Sequence, residues 1–522
     1  MLTRFATDGA VAAANHLAAS AGAGVMQRGG NAVDAVIAAA GVMAVVAPEA
    51  CGLGGDLWAV IARTGEVPVA LNASGRSGSG ADPGRLRAEG HREMPFQHDV
   101  RAVTVPGFVD GVIALHARLA TRELDELLAP AHRLAEIGFP VSASLAEKSR
   151  ALAADQREAM FGQRDGLRAG RRLQLPRLAD VVAAVAGSGR EGFYQGSVGR
   201  ALVEIGAGEF SDQDMSAVNA DWVEPIDIHA FGRRLWSAPP NSQGYLALAS
   251  AWIADQVGVP QDPDDERWAF VLVEASRLAG FDRVDVLHEH ADGRDLLAPE
   301  RLGPRAAALG EHASEGLADV YRDGGTTCIC AVDRERTGVS LIISNGAGFG
   351  SHLTLVGHQI FLHNRGLGFS LSEGHPAEYG PRRRPPHTLT ALAVTDDDLT
   401  FDTVLGTMGG DAQPQISLQL LARVLAAGQS TEAAMDAPRW MLTRDDASPF
   451  HVWNRAGLPT VAIERDAPAG WASGLRRRGY DVTEMPARDS SFGHAQLIRA
   501  TADGLLSAAS DSRARAGGVV AS

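Results

Sequence analysis

Cysteine is scarce in this chain: three residues in 522, at positions 51, 328 and 330. Three thiols make neither a disulfide framework nor a four-ligand zinc site. No metal and no cofactor is expected. Basic charge is also short. Lys plus Arg number 48 against 63 Asp plus Glu, a formal net charge of −15. That balance lacks the electrostatic footprint of a nucleic-acid binder. Long hydrophobic runs are missing too. The most membrane-like stretch, Ala35 to Ala47, is too short to span a bilayer and stops at Pro48-Glu49. Near the start, Asp8 and His16 interrupt any apolar run behind Arg4, so the segment does not read as a signal peptide. The expectation is a soluble protein of a reducing cytoplasm, with no membrane and no nucleic-acid partner.

What is present is a globular composition, 45% apolar and 21% charged. That much apolar side chain offsets chain entropy and excludes intrinsic disorder. The length exceeds what one core usually supports, so two domains or one large α/β body are expected. Asn31 reads as the cap of a helix from about Ala32 to Val46. Strand-like runs follow at Leu57 to Ala62 and Pro68 to Leu71. The region from Asp110 to Leu278 reads mostly helical, and Arg283 to Gly325 reads as a polar, mobile surface segment. The texture changes at Gly325/Thr326. Beyond it come β-rich runs at Thr326 to Val332, Val339 to Ser344, Leu389 to Thr395 and Thr403 to Gly406, with helical spacing at Ile416 to Ala427. Strands and helices in both halves predict a layered α+β body.

Gly324-Gly325-Thr326-Thr327 is the stretch with most chemical promise. A Thr hydroxyl is a poor nucleophile without a base, and its own α-amine supplies one once the Thr becomes a chain terminus. A free α-amine has a pKa of about 7.7–8.0, so part of it is neutral at physiological pH. A preceding Gly permits the backbone angles that such a cut needs. The same residues also read as an ordinary turn into a strand. In Gly406-Thr407-Met408-Gly409-Gly410-Asp411, two successive glycines between a strand and a helix are able to aim backbone N–H groups at one point, as an oxyanion hole requires. A plain strand-to-helix turn has the same sequence. Gly52-Leu53-Gly54-Gly55 fails as a dinucleotide fingerprint, because Leu57 stands where a third Gly belongs and a strand follows. Cys328 and Cys330 share one strand face and read as small buried residues. Arg382-Arg383-Arg384-Pro385-Pro386-His387-Thr388 is either a solvated basic loop or a carboxylate-binding one.

Taken together, these pieces resemble the γ-glutamyltransferase family of N-terminal-nucleophile hydrolases, from about residue 6 to residue 515. The marks run in order: Gly29-Gly30-Asn31-Ala32-Val33-Asp34-Ala35, Pro48-Glu49 with Gly52-Leu53-Gly54-Gly55, Val105-Pro106-Gly107, Pro239-Pro240-Asn241-Ser242, Glu274-Ala275-Ser276-Arg277, Thr326-Thr327, Met408-Gly409-Gly410, Asp436-Ala437-Pro438-Arg439 and Asp511-Ser512-Arg513. The resemblance implies a four-layer αββα sandwich with a helical portion in the large subunit. It implies a precursor that cuts itself between Gly325 and Thr326 into a large subunit, 1–325, and a small one, 326–522, which pair with each other, with further oligomerisation left open. Thr326 would be the nucleophile, its amine the base, and Gly409 and Gly410 the oxyanion hole. Ser344 falls where the family has a Thr whose hydroxyl touches the nucleophile.

The chain departs from the family's glutathione-cleaving members where they hold the substrate's α-amine. Gly346, Arg365 and Gly368 stand at those positions, so three acceptors are gone and one is now a cation. His387-Thr388 replaces a Ser-Ser pair that holds the α-carboxylate. The usual carboxylate-binding Arg position reads Ser74, with Arg76 two residues on. The expected enzyme is therefore an N-terminal-threonine amidase or acyltransferase, close to the branch with cephalosporin acylases and an oxamate amidohydrolase. Its donor would carry a carboxylate and be bound by Arg76, Arg365, His387 and Thr388. Two alternatives stay open: a γ-glutamyl hydrolase-transpeptidase, and an unprocessed, catalytically silent homologue that only binds.

Overall fold

The computed structural model describes residues 2–315, 317, 325–443 and 458–522. Two seven-stranded, wholly antiparallel sheets organise them. One runs, edge to edge, Leu2–Ala6, Leu506–Ser510, Gln496–Ala500, Phe401–Gly406, Leu392–Thr395, Arg233–Ser237, Ile226–Ala230. The other runs Gly518–Ala521, Ala10–Ala13, Gly325–Val332, Thr337–Gly346, Asp56–Arg63, Val69–Ala73, Asp221–Val223. Segments from both sides of position 325 thus contribute strands to each sheet. The chain does not divide there into two independently packed domains, because each part completes the other's hydrogen-bond ladder.

Side-chain alternation explains how the sheets pack. In Asp56–Arg63, Trp58, Val60 and Ala62 join one core, whereas Leu57, Ala59 and Ile61 join another. Cys328, Cys330 and Ile342 meet Trp236, Val404, Ile498 and Ala508 in the first of these, which draws on both sheets. The opposite faces pack on helices. Leu57, Ile329 and Leu341 bury against the helix Ala32–Val46, and Leu235, Leu405 and Leu497 against Gly244–Val257, Glu266–Gly280 and Gln413–Leu421.

The Ala32–Val46 helix matches the sequence expectation. Asn31 accepts from the Asp34 N–H, and Asp34 accepts from the Asn31 N–H, a reciprocal cap. All fifteen of its residues are buried, which is why it reads as apolar on every side. One expectation needs correction. The described part of the segment, residues 283–315, is not a simple surface stretch: Arg283–Val286, Gly293–Leu297 and Pro299–Ala307 are helical, and Arg283, Leu296, Leu297 and Leu302 are buried. The region from Asp110 to Leu278 is mostly helical, as expected, with short strands such as Asp221–Val223, Ile226–Ala230 and Arg233–Ser237 between its helices. Gly324 lies outside the described residues.

Candidate active site

Thr326 and Ser344 face each other across two neighbouring strands. Their ladder runs in register from Val332↔Gly338 to Thr326↔Ser344, and an irregularity between Gly325 and Thr326 then sets Gly325 against Gly346. The two hydroxyls lie 3.1 Å apart. Both residues are buried, Thr326 at 4% exposure. The Cys328 and Cys330 thiols continue the same face inward and are free.

Arg365 reaches this pair from a single 3-10 turn, Arg365–Gly368. Its Nη2 donates to Ser344 Oγ at 3.1 Å and its Nη1 to Thr388 Oγ1 at 3.0 Å. Asp56 Oδ2 lies 3.9 Å from its Nε. The side chain is 3% exposed. Burial lowers the guanidinium to about 10 while Asp56 and Asp411 oppose the fall, so Arg365 keeps its charge at neutral pH.

Asp56 anchors the surrounding loops. Its Oδ1 accepts from the Gly75 and Gly107 N–H groups, and its Oδ2 faces His387 Nε2 at 3.0 Å and His363 Nδ1 at 3.4 Å. Burial would raise this carboxyl, but His363 and His387 outweigh it and hold Asp56 well below the usual carboxylate range. The Leu389 N–H donates to His387 Nδ1 at 3.3 Å, which leaves Nε2 as the protonated nitrogen that donates to Asp56. Burial, then the Arg365 cation, lower His387 to about 3. His387 is therefore neutral and fully engaged.

The glycine turn follows a strand end that packs on the Thr326 strand. A Cβ at Gly406 would come within 2.6 Å of Cys328 Sγ. Gly409 and Gly410 take φ values of 140° and 54°, conformations that favour glycine. Gln243 Nε2 donates to Gly410 O at 3.0 Å and to Thr388 O at 2.8 Å, which ties this turn to the Arg365 side of the site.

Two cavities border the site. The first, about 430 Å³, is lined by Arg92, Arg283, Asn364, Arg365, Gly368 and Thr388 among others. Arg283 is 3% exposed, with Nη2 3.4 Å from Asp411 Oδ1. Two buried guanidiniums thus face one pocket, which suits a carboxylate and penalises an ammonium. The second cavity, about 290 Å³, is lined by Thr326 and Met408 together with Glu49, Lys148, His494 and Arg515.

The remaining candidates fall into place around these. Thr388 lines the first cavity, whereas His387 braces Asp56 from behind it. Arg76 pairs with Asp221 at 3.2 Å and is about one-third exposed, outside both cavity walls. Gly346 and Gly368 have no room for an acceptor side chain: a Cβ would meet Asn364 Oδ1 at 2.2 Å or Pro386 O at 2.2 Å. Sequence reasoning missed Asp56, Arg283, Asp411 and Gln243. The first sits at the end of a glycine turn, and the others gain meaning only from tertiary packing.

Comparison with known proteins identifies the family. The family profile described as Gamma-glutamyltranspeptidase matches residues 18–521. The chain belongs to the γ-glutamyltranspeptidase family. It is an amide-hydrolase proenzyme of that family, of the N-terminal-nucleophile type. It is 32% identical over 527 residues to the oxamate amidohydrolase proenzyme of Klebsiella pneumoniae, covering 97% of each chain. It is 30% identical to the glutathione hydrolase-like YwrD proenzyme of Bacillus subtilis, covering 96% of each. Among solved structures, cephalosporin acylase from Bacillus halodurans superposes with a TM-score of 0.89 at 29% identity, covering 100% of this chain and 97% of that one. No helix among the described residues is long and apolar enough to cross a membrane.

Proposed function

We propose that this proenzyme cuts itself between Gly325 and Thr326 and then cleaves small amides whose acyl part carries a carboxylate. The fold is read as a four-layer αββα sandwich, made of a 1–325 subunit and a 326–522 subunit, and the setting as cytoplasmic. The observation that carries the proposal is the Ser344 hydroxyl, 3.1 Å from both Thr326 Oγ1 and Arg365 Nη2. It puts a fixed cation two hydrogen bonds from the nucleophile.

In this reading the freed Thr326 amine takes the Thr326 hydroxyl proton as Oγ1 attacks the amide carbonyl. The N–H groups of Gly409 and Gly410 receive the developing oxyanion. The amine passes its proton to the leaving nitrogen, the C–N bond breaks, and a Thr326 ester remains. Water, or an acceptor amine, then takes the acyl group. Arg365 and Thr388 hold the substrate carboxylate, with Arg283 behind them. Ser344 orients the nucleophile against Arg365. His387 acts through Asp56, and Arg76 remains a candidate only for a substrate that reaches the surface. An oxamate-like donor fits, because its carboxylate adjoins the scissile carbonyl and Arg365 adjoins the nucleophile. A γ-glutamyl donor fits less well, since its ammonium meets two guanidiniums and no acceptor at Gly346 or Gly368. A panel of oxamate, glutaryl and γ-glutamyl amides tests this. Preference for the γ-glutamyl amide overturns the substrate reading, and a single unprocessed, inactive chain overturns the enzyme reading.

A further inference from the structure

Gln243 is wholly buried at the start of the helix Gly244–Val257. Its Nε2 carries two hydrogens and donates to two carbonyls, Thr388 O at 2.8 Å and Gly410 O at 3.0 Å. Both hydrogens are thereby used. Among the described residues its Oε1 has no hydrogen-bond partner. A buried amide that leaves its acceptor idle is held in place by its donors. The reversed amide would set Oε1 against two carbonyl oxygens, so the partners fix its orientation.

The two carbonyls belong to different parts of the site. Thr388 carries the hydroxyl that Arg365 Nη1 reaches at 3.0 Å. Gly410 belongs to the turn whose N–H groups are assigned to the oxyanion. That turn is pinned at successive peptides. Gly409 O accepts from the Ala412 N–H at 2.9 Å, which orients the peptide that carries the Gly410 N–H. Gln243 takes the next carbonyl along, Gly410 O. With no Cβ and a φ of 54°, Gly410 has little of its own to fix that peptide. Gln243 is in turn anchored to the Thr388 segment. Its N–H donates to His387 O at 2.9 Å, the His387 N–H donates to Asn241 O at 2.8 Å, and Ser242 Oγ donates to Leu389 O at 2.7 Å. Its side chain is thus an arm from the acyl anchor to the glycine turn. Two further braces keep these loops adjacent: the Thr390 N–H donates to Gln413 Oε1 at 3.0 Å, and Arg283 lies 3.4 Å from Asp411.

We propose that Gln243 is a positioning residue for the amide cleavage, whose two N–H groups hold the oxyanion turn at a fixed place relative to the acyl anchor. It acts through Gly410 and Thr388, and it does so from the opposite side of the proposed cut at Gly325–Thr326. This rests on the reading of Thr326 as nucleophile and of the Gly409 and Gly410 N–H groups as the oxyanion donors. When Gln243 loses its donors, Thr388 keeps its contact with Arg365, whereas Gly410 O loses the N–H that orients it. The effect therefore falls on the transition state, where the oxyanion forms, more than on substrate binding.

Two variants test this. Gln243→Met keeps the length and removes both donors, and Gln243→Glu keeps the shape and removes the N–H groups. Both are assayed at pH 8 on whichever of the oxamate, glutaryl and γ-glutamyl amides the wild type cleaves fastest, so the acyl reading can fail without touching this one. Thermal melts and the N-terminal sequence of the small fragment identify folded, processed protein. In each processed variant kcat should fall at least tenfold, and by more than KM rises. A smaller fall in kcat in either processed variant overturns the proposal, as does a change that lies mainly in KM. If only one variant is processed, that one decides. Failure of both to fold or to cut assigns Gln243 to folding and overturns the positioning role. A wild type that cleaves none of the amides overturns the enzyme reading and this inference with it, whereas an active wild type beside unaffected variants overturns this inference alone.

Discussion

Thr326 Oγ1 and Arg365 Nη2 share one partner atom, Ser344 Oγ, and each lies 3.1 Å from it. In the proposed reading, a nucleophile and a buried cation are thereby fixed relative to each other before any substrate arrives. On that reading the preorganisation selects among acyl groups by charge and length, because a carboxylate would reach Arg365 only from an acyl chain that fits beside Thr326. It also makes the following outcomes measurable.

Purified wild-type protein should run as two bands on a denaturing gel, with the smaller fragment beginning at Thr326. Thr326→Ala should give one intact chain. Sequencing that began at Thr327 would move the nucleophile by one residue and reject the assignment.

Arg365→Gln replaces a buried cation by a neutral acceptor. The ratio of kcat/KM for a glutaryl amide to that for the matched γ-glutamyl amide should fall more than tenfold, the loss of a charge-assisted contact of about 1.5–3 kcal/mol. A thermal melt accompanies the assay, since Asp56 and Asp411 lose a cationic neighbour in this variant. An unmoved ratio in a folded variant would make Arg365 structural.

Arg283→Met should raise KM for carboxylate-bearing donors more than it lowers kcat, because Arg283 lines the same pocket as Arg365 and pairs with Asp411. Leaving Asp411 without its guanidinium partner should also lower stability by about 3–5 kcal/mol. A variant with unchanged KM would remove Arg283 from substrate binding.

Gly410→Val puts a β-branched side chain at a φ of 54° and disturbs the N–H groups assigned to the oxyanion. Turnover should fall by about 10²–10³-fold, as for loss of one such donor. Near-normal turnover in a folded, processed variant would take this turn out of the reaction.

The stability of the wild-type protein should depend on His387 in acid. Its folded-state value is lowered to about 3, whereas an unfolded imidazole titrates at about 6.5. The unfolded chain thus binds the extra proton first. The His387 contribution is fully present above about pH 6.5 and is lost as pH falls toward 3. Between those limits the wild type should lose up to about 1.4 kcal/mol more per pH unit than His387→Gln. Parallel stability curves for the two proteins would contradict the buried neutral imidazole.

Some of this molecule was settled locally. Asn31 and Asp34 cap the Ala32–Val46 helix, and Pro48 follows its end. β-rich runs at Thr326 to Val332 and Val339 to Ser344 made the strands Gly325–Val332 and Thr337–Gly346 legible. Gly-Gly before Thr326, and Gly409-Gly410 between a strand and a helix, marked the chemistry, and motif order marked the family. The strands Leu2–Ala6 and Ile226–Ala230 were not legible, because short edge strands bury too little to show a period. The charge of the acyl pocket was not legible either. Arg283, Asp411 and Arg365 are spread over more than 120 positions, and nothing local distinguishes Arg283 from the chain's many surface arginines. The sequence by itself determined which residue types are available at the nucleophile and its turn. Only the tertiary structure decided which cations face it, because burial and long-range pairing, not spacing along the chain, turn a scattered arginine into a binding group.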